Sequence, residues 1–214
     1  MNESVKNEKV RRRRPQERAQ VTRQKLLDIA IREFSERGFD AVTVRDIETL
    51  AGVQRNLLSY HFGGKEGIWK AAATHVLTQL QDFSEAREEL VQDLSPRERV
   101  AYTLRSYVRF AASYPEFHRL MIQEGKHDSW RIEWLVDNFL RSAMQRLRGA
   151  LEDDLGLKQE DFVHWYYMFV GGGALIFSMA PEARRLFDID VNDSEVLERH
   201  AGMMVDILLS RSDS

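Results

Sequence analysis

Cysteine is absent from this 214-residue chain. Structural disulfides and thiolate metal sites are thereby excluded, and a reducing cytoplasm is the expected location. No apolar run follows the charged N-terminus, so no secretory signal is expected. No segment alternates like a surface strand, and no internal repeat recurs. Enzyme signatures are missing as well. The histidines are His61, His75, His118, His127, His164 and His200, and no two form the i, i+4 pair around a Glu that zinc hydrolases use. There is no phosphate loop, nucleophile elbow or dinucleotide fingerprint. Glu124 and His127 are three apart, but two ligands do not make a metal site, and a solvated polar turn is expected there. No catalysis, metal or cofactor is therefore expected.

What is present is helical. Hydrophobic residues make up 43% and charged residues 30%, the balance of a globular protein. Apolar residues recur at helical spacing, and the pattern predicts an all-α chain of about nine helices. Residues 1–20 are polar and carry Arg11-Arg12-Arg13-Arg14 before Pro15, so they read as a disordered basic arm. A first helix starts at Thr22 and stops at Gly38. Thr43 caps a second helix, with Asp46 three positions on in place of the usual Glu of a capping box. Residues 54–61 form a third, ended by Gly63-Gly64. A fourth runs from Lys65 to Leu90. Ser95-Pro96 is a cap followed by a first-turn proline, which opens a fifth helix to about Tyr114. Further helices are expected at 116–125, 129–154 and 159–179, stopping at Pro181. A loop at 184–192 then precedes a last helix to Ser210.

Charge is unevenly placed. Residues 1–65 hold 14 Lys+Arg against 9 Asp+Glu, and residues 66–214 hold 17 against 25. A basic head on an acidic body suits a protein that offers one end to a polyanion. From Phe162 to Pro181 no residue carries a formal charge if His164 is neutral. That run is long enough to span a bilayer. Acidic flanks at Glu160, Asp161 and Glu182, and three consecutive glycines, favour instead a helix covered by its own domain on one side and a second subunit on the other.

The most informative stretch is Thr43–Lys65. Two short helical patterns are joined through Ala51-Gly52-Val53, and the second ends in Tyr60-His61-Phe62. This is the layout of a helix-turn-helix, in which the second helix lies in the major groove of DNA. Gln54, Arg55 and Asn56 are placed in the first turn of that helix. Arg pairs in bidentate fashion with guanine, and Asn or Gln with adenine. Thr43 and Arg45 are expected to grip phosphate where the second helix begins. Lys65 opens the fourth helix, where backbone N–H groups also favour a phosphate. Ile47, Val53, Leu57, Leu58 and Phe62 are expected in the core. The Arg11–Arg14 run is read as a solvated tail adding non-specific attraction, with minor-groove insertion as the alternative.

Thr43, Ile47, Ala51-Gly52-Val53, Tyr60-His61-Phe62 and Lys65-Glu66, preceded by Ile29-Ala30, Phe34 and Gly38-Phe39, closely resemble the motif of the TetR family of transcriptional regulators. The resemblance covers about residues 22–72. It implies a three-helix DNA-binding domain at residues 21–66 and a helical effector-binding and dimerisation domain at 67–211. It also implies that Tyr60 and His61 contact phosphate. Family recognition helices usually begin with Ser or Thr, then a small residue two places later, then an aromatic next to the Tyr. Here those positions hold Gln54, Asn56 and Ser59, and the change is expected to alter which sequence is read.

Further on, Tyr114-Pro-Glu-Phe-His-Arg-Leu-Met, Trp134-Leu-Val and Phe177-Ser-Met-Ala-Pro-Glu-Ala-Arg-Arg-Leu resemble C-terminal domains of the same regulators. They imply a homodimer built from the last two long helices. The final helix carries Val196, Leu197, Met203, Met204, Ile207 and Leu208 on one broad face. Large side chains between the fifth and eighth helices suit an apolar or aromatic effector. Phe110, Phe117, Met121, Trp134 and Phe169 are the apolar candidates, and Tyr107, Arg109, His118 and Tyr166 the polar ones. The whole reads as a repressor released from a palindromic double-stranded operator. The alternative is an adaptor or activator of the same fold.

Overall fold

Helix formation from local spacing, followed by burial of one face of each helix, accounts for most of the architecture. The computed structural model describes residues 3–88 and 91–209. The expected helix ends at Leu90 and Ser210, and the side chains of Arg11–Arg14, lie outside that description. Every regular element among the described residues is helical. They are α1 (Glu3–Ala41), α2 (Val44–Leu50), α3 (Leu57–Phe62), α4 (Lys65–Glu88), α5 (Pro96–Ser113), α6 (Pro115–Gly125), α7 (Trp130–Leu135), α8 (Arg141–Leu155), α9 (Gln159–Ser178), α10 (Ala180–Phe187) and α11 (Ser194–Leu209). A π-helical turn, Val136–Leu140, joins α7 to α8 through unbroken right-handed backbone. The single helix expected over 129–154 is therefore one rod containing a wide turn.

Two differences from the sequence reading have local causes. Helix α1 starts at Glu3 rather than Thr22, through a segment rich in Glu, Lys, Arg and Gln, strong intrinsic helix formers, that also contains Pro15. At its other end Gly38 (φ 76°, ψ 166°) breaks the helical path, as expected. Second, residues 180–187 are helical where a loop from 184 was expected. Pro181 ends α9 but also stands in the first turn of α10, where its missing N–H costs nothing.

The chain divides into two compact units, Met1–His75 and Val76–Ser214, so the division falls inside α4. The first unit closes on Leu26, Ala30 and Phe34 of α1, Val42, Ile47 of α2, Leu58 of α3, and Ile68 and Trp69 of α4, all fully buried. Phe34 stacks on Phe39 at 5.9 Å, and Phe39 meets Trp69 edge-on at 6.2 Å. Each such buried side chain is worth about 1.5–3 kcal/mol, which is what holds the short helices α2 and α3 in place.

In the second unit α5 is central and packs on α8, α9 and α11. Its buried stripe is Val100, Leu104, Val108 and Ala111. It meets Leu151 and Leu155 of α8, Phe162, Trp165, Phe169 and Phe177 of α9, and Met204, Val205 and Leu208 of α11. Ser95 caps α5 as expected, and Glu98 completes a capping box with it; those hydrogen bonds hold the Glu98 carboxyl below its ordinary pKa. Arg99 clamps Asp154 through Nε at 2.7 Å and Nη2 at 2.5 Å, tying α5 to α8.

Helix α9, uncharged from Phe162 onward, is buried along one face only. Val163, Tyr167, Met168 and Leu175 are exposed on the other. No single helix among the described residues is long and apolar enough to cross a membrane; α9 and α10 pass together only as a pair bent by 73°. Two of the three consecutive α9 glycines, Gly172 and Gly173, pack against side chains. A Cβ on Gly173 would lie 2.9 Å from Tyr107 Cδ1, and one on Gly172 would lie 3.0 Å from Met204 Sδ. Gly173→Ala is accordingly expected to destabilise the fold by about 1–3 kcal/mol, because the Tyr107 ring is itself packed 4.4 Å from Phe169. Gly149→Ala in α8, with open space around it, is expected to stabilise by about 0.5–1 kcal/mol. Urea midpoints at fixed protein concentration check both, and equal midpoints for the two variants would refute the packing argument.

Candidate nucleic-acid interface

Thr43 starts the site. Its Oγ accepts the Asp46 N–H at 3.1 Å, while the Asp46 carboxylate accepts the Thr43 N–H at 3.0 Å. The Asp stands in for the Glu of a capping box, and these hydrogen bonds, led by the Thr43 N–H, keep the Asp46 carboxyl below its ordinary pKa. The Thr43 hydroxyl also bonds the Asp46 carboxylate, so the cap ties both groups of Thr43 to Asp46. Arg45, the second residue of α2, is exposed.

The turn is longer than the sequence implied. Helix α2 ends at Leu50, Gly52 takes the left-handed conformation (φ 63°), and α3 begins only at Leu57. Gln54, Arg55 and Asn56 therefore precede the reading helix instead of forming its first turn. The reason is Asn56, which itself adopts the left-handed conformation (φ 69°, ψ 0°) and so breaks any helix through it. All three side chains are exposed, as are Thr43, Ser59 and Tyr60. Tyr60 is 80% exposed and meets His61 edge-on at 5.0 Å. His61 is half-buried. Gly63 (φ 75°) then caps α3, its N–H donating to the Ser59 carbonyl at 2.9 Å.

Of the residues expected in the core here, Ile47 and Leu58 are fully buried, while Val53, Leu57 and Phe62 are half-buried. Lys65 is half-buried, with its Nζ 4.2 Å from the centre of the Phe39 ring, a cation–π contact that fixes the stem of the side chain. Two residues escaped the sequence reading. Arg23 of α1 lies 4.8 Å over the Phe62 ring at the end of α3. Glu48 of α2 is 5% exposed, and its Oε1 accepts the Leu58 N–H at 3.0 Å. Neither pairing has a signature in spacing, since the partners meet only once the helices pack.

The effector candidates fall into separate groups. Phe110 gathers Phe83 (5.3 Å), Tyr114 (5.1 Å) and Phe117 (5.4 Å). Tyr107 lies against Phe169, and its hydroxyl donates to the Val170 carbonyl at 3.5 Å. Burial raises the pKa of the Tyr107 and Tyr166 phenols and lowers that of His118. Met121 and Trp134 are half-buried, with Trp134 against Phe139 at 5.5 Å. Arg109 lies on the surface, bidentate to Glu198 of α11 at 2.8 Å in both contacts. Trp165 buries its Nε1 without a hydrogen-bond partner. Glu124 departs from the expected solvated turn: it is 1% exposed, with Oε2 2.7 Å from Arg131 Nε. The fold brings an arginine from α7 over it, which the sequence spacing with His127 did not reveal.

Residues 26–72 match the family model described as bacterial regulatory proteins, tetR family, and residues 96–208 match the Tetracyclin repressor-like, C-terminal domain. The chain belongs to the TetR family. Its relatives are transcriptional regulators, not enzymes. The HTH-type transcriptional regulator BetI 2 of Chromohalobacter salexigens is 27% identical over 128 residues, 60% of this chain and 57% of that protein. The HTH-type transcriptional repressor NicS of Pseudomonas putida is 31% identical over 116 residues, 52% and 51% of the two chains. The chain thus spans about half the length of the curated relatives it matches. Among solved structures, a TetR-like transcriptional regulator from Rhodococcus sp. RHA1 shares the fold with TM-score 0.62 and 21% identity, over 89% of this chain and 94% of that one. The fatty acid degradation regulator FadR from Bacillus halodurans does so with TM-score 0.59 and 14% identity, over 86% and 94%.

Proposed function

We propose that this TetR-family protein is a sequence-specific, ligand-responsive repressor that acts in the cytoplasm as a homodimer. The observation that carries the DNA-reading part is the exposed polar set Thr43, Arg45, Gln54, Arg55, Asn56, Ser59 and Tyr60, carried on α2, α3 and the turn between them, which are anchored by the fully buried Ile47 and Leu58. Gln54, Arg55 and Asn56 offer paired donors and acceptors suited to base edges. Thr43, Arg45, Tyr60, His61 and Lys65 suit phosphate and set the register.

Pairing rests on α9 and α11, whose exposed Val163, Tyr167, Met168, Leu175, Met203 and Ile207 are too many large apolar side chains on neighbouring elements for a solvated face. Two reading helices then engage successive major grooves, about 34–36 Å apart, on a near-palindromic operator. The second unit takes a small apolar or aromatic effector among Tyr107, Phe110, Phe117, His118, Met121, Trp134, Tyr166 and Phe169. The effector lowers DNA affinity by binding more tightly to a conformer that fits the operator less well.

Selection of tight binders from random duplexes, then footprinting with and without candidate aromatic compounds, tests this reading. A protein that retains no duplex at modest ionic strength, or that sediments as a monomer at working concentration, would overturn it. Arg55→Ala is expected to relax specificity at one base position, at a cost of about 1–3 kcal/mol. Lys65→Ala is expected to weaken all sequences alike and reduce the salt slope by about 1. Equal losses for Arg55→Ala on operator and random DNA would show that Arg55 touches only the backbone.

A further inference from the structure

We propose that Glu48 is the positioning residue of the reading helix: it caps α3 in place of Asn56 and so leaves the Asn56 carboxamide available to a base. The inference rests on the DNA-reading function proposed above. At an ordinary helix start the N-cap residue is extended, and its side-chain oxygen turns back onto the N–H of the second or third helical residue. Asn is among the best residues for that task. Here Asn56 occupies the N-cap position in the left-handed conformation and makes no side-chain cap bond. Its side chain is exposed instead.

The cap comes from ten residues upstream. Glu48 Oε1 accepts the N–H of Leu58, the second residue of α3, at 3.0 Å in a buried position. The backbone carbonyl of the same Glu48 accepts the Val53 N–H at 3.1 Å. One residue of α2 therefore holds both the entry to the turn and the start of the helix after it. Glu48 is 5% exposed, and Leu58 beside its carboxylate is fully buried. A charge-assisted bond in such surroundings is stronger than a neutral cap at the surface. It also ties α3 directly to α2. The arrangement makes Asn56 a specificity residue with both amide groups unspent, of the kind that pairs with adenine.

The test uses the full-length protein and a duplex selected as a tight binder. Failure to select any duplex with the parent protein would dispose of the DNA-reading function, and it is read before any variant is made. For Glu48→Ala, faster hydrogen exchange at the Leu58 amide without DNA is expected. Preference for the selected duplex over random DNA should fall about tenfold or more, with affinity for random DNA held within about twofold. Glu48→Gln keeps an acceptor at the same place and is expected to retain Leu58 protection and most of the preference. Asn56→Gly keeps the left-handed backbone but removes the amide, and about a tenfold loss of discrimination is expected at one base pair only. Unchanged Leu58 exchange in Glu48→Ala, equal losses on both duplexes, loss of preference in Glu48→Gln matching that in Glu48→Ala, or undiminished discrimination in Asn56→Gly would each overturn the proposal. Should Glu48→Ala fail to fold, Glu48→Gln and Asn56→Gly still decide it.

Discussion

Gly67→Ala is expected to remove sequence-specific DNA binding and to unfold the first unit at markedly lower denaturant. Gly67 lies in the first turn of α4, where its backbone passes the end of α3. A Cβ there would fall on the Phe62 carbonyl oxygen, well inside van der Waals contact, and 2.9 Å from the carbonyl carbon. Both are backbone atoms, so no rotamer relieves the clash. Ordinary overpacking costs about 1–3 kcal/mol, and a collision with main chain exceeds that range because α3 itself must move. The move displaces the element carrying Ser59 and Tyr60. Parallel measurements of operator affinity and of the urea midpoint of the first unit decide the matter. A variant with parental affinity and midpoint would show that α3 and α4 separate at little cost. The glycine is required here for space, since its φ lies outside the left-handed region.

Glu124→Ala is expected to cost about 3–5 kcal/mol, because it removes the carboxylate that meets the buried Arg131 guanidinium. The side chains of Glu124 and Arg131 are 1% and 8% exposed and meet at 2.7 Å. Native stabilities are about 5–15 kcal/mol in total, so the single change removes about a fifth or more. Glu124→Gln, which keeps an acceptor for Arg131 Nε, is expected to lose less. The double change Glu124→Leu/Arg131→Met is expected to recover most of the loss, as apolar replacements of buried pairs often do. Denaturant unfolding at fixed concentration checks the order of the three. A double variant less stable than Glu124→Ala would refute the reading that breaking the buried charge pair is the cause.

Much of this protein was legible in order of residues alone. Apolar side chains at three- and four-residue spacing declare a helix before anything packs, and α2, α5, α6, α9 and α11 lie close to where that spacing put them. The Thr43–Asp46 capping box and the Ser95 cap before Pro96 are contained in a few residues each, so they too were visible. Errors gathered where a residue has two uses. Pro181 ends one helix and begins another. Asn56, read as a helix residue with a base-reading side chain, takes the left-handed backbone that delays α3 to Leu57.

By itself, then, the sequence determined the all-helical class, the helix-turn-helix and its family, because helix periodicity, caps and turn glycines act over a few residues. Only the tertiary structure decided which groups meet across the fold: Glu48 with the Leu58 amide, Gly67 with the Phe62 backbone, Arg131 with Glu124, and Arg109 with Glu198 rather than with a pocket. Those contacts depend on how separate helices are oriented and how deeply each carboxylate is buried, and neither is set by the distance between two residues along the chain.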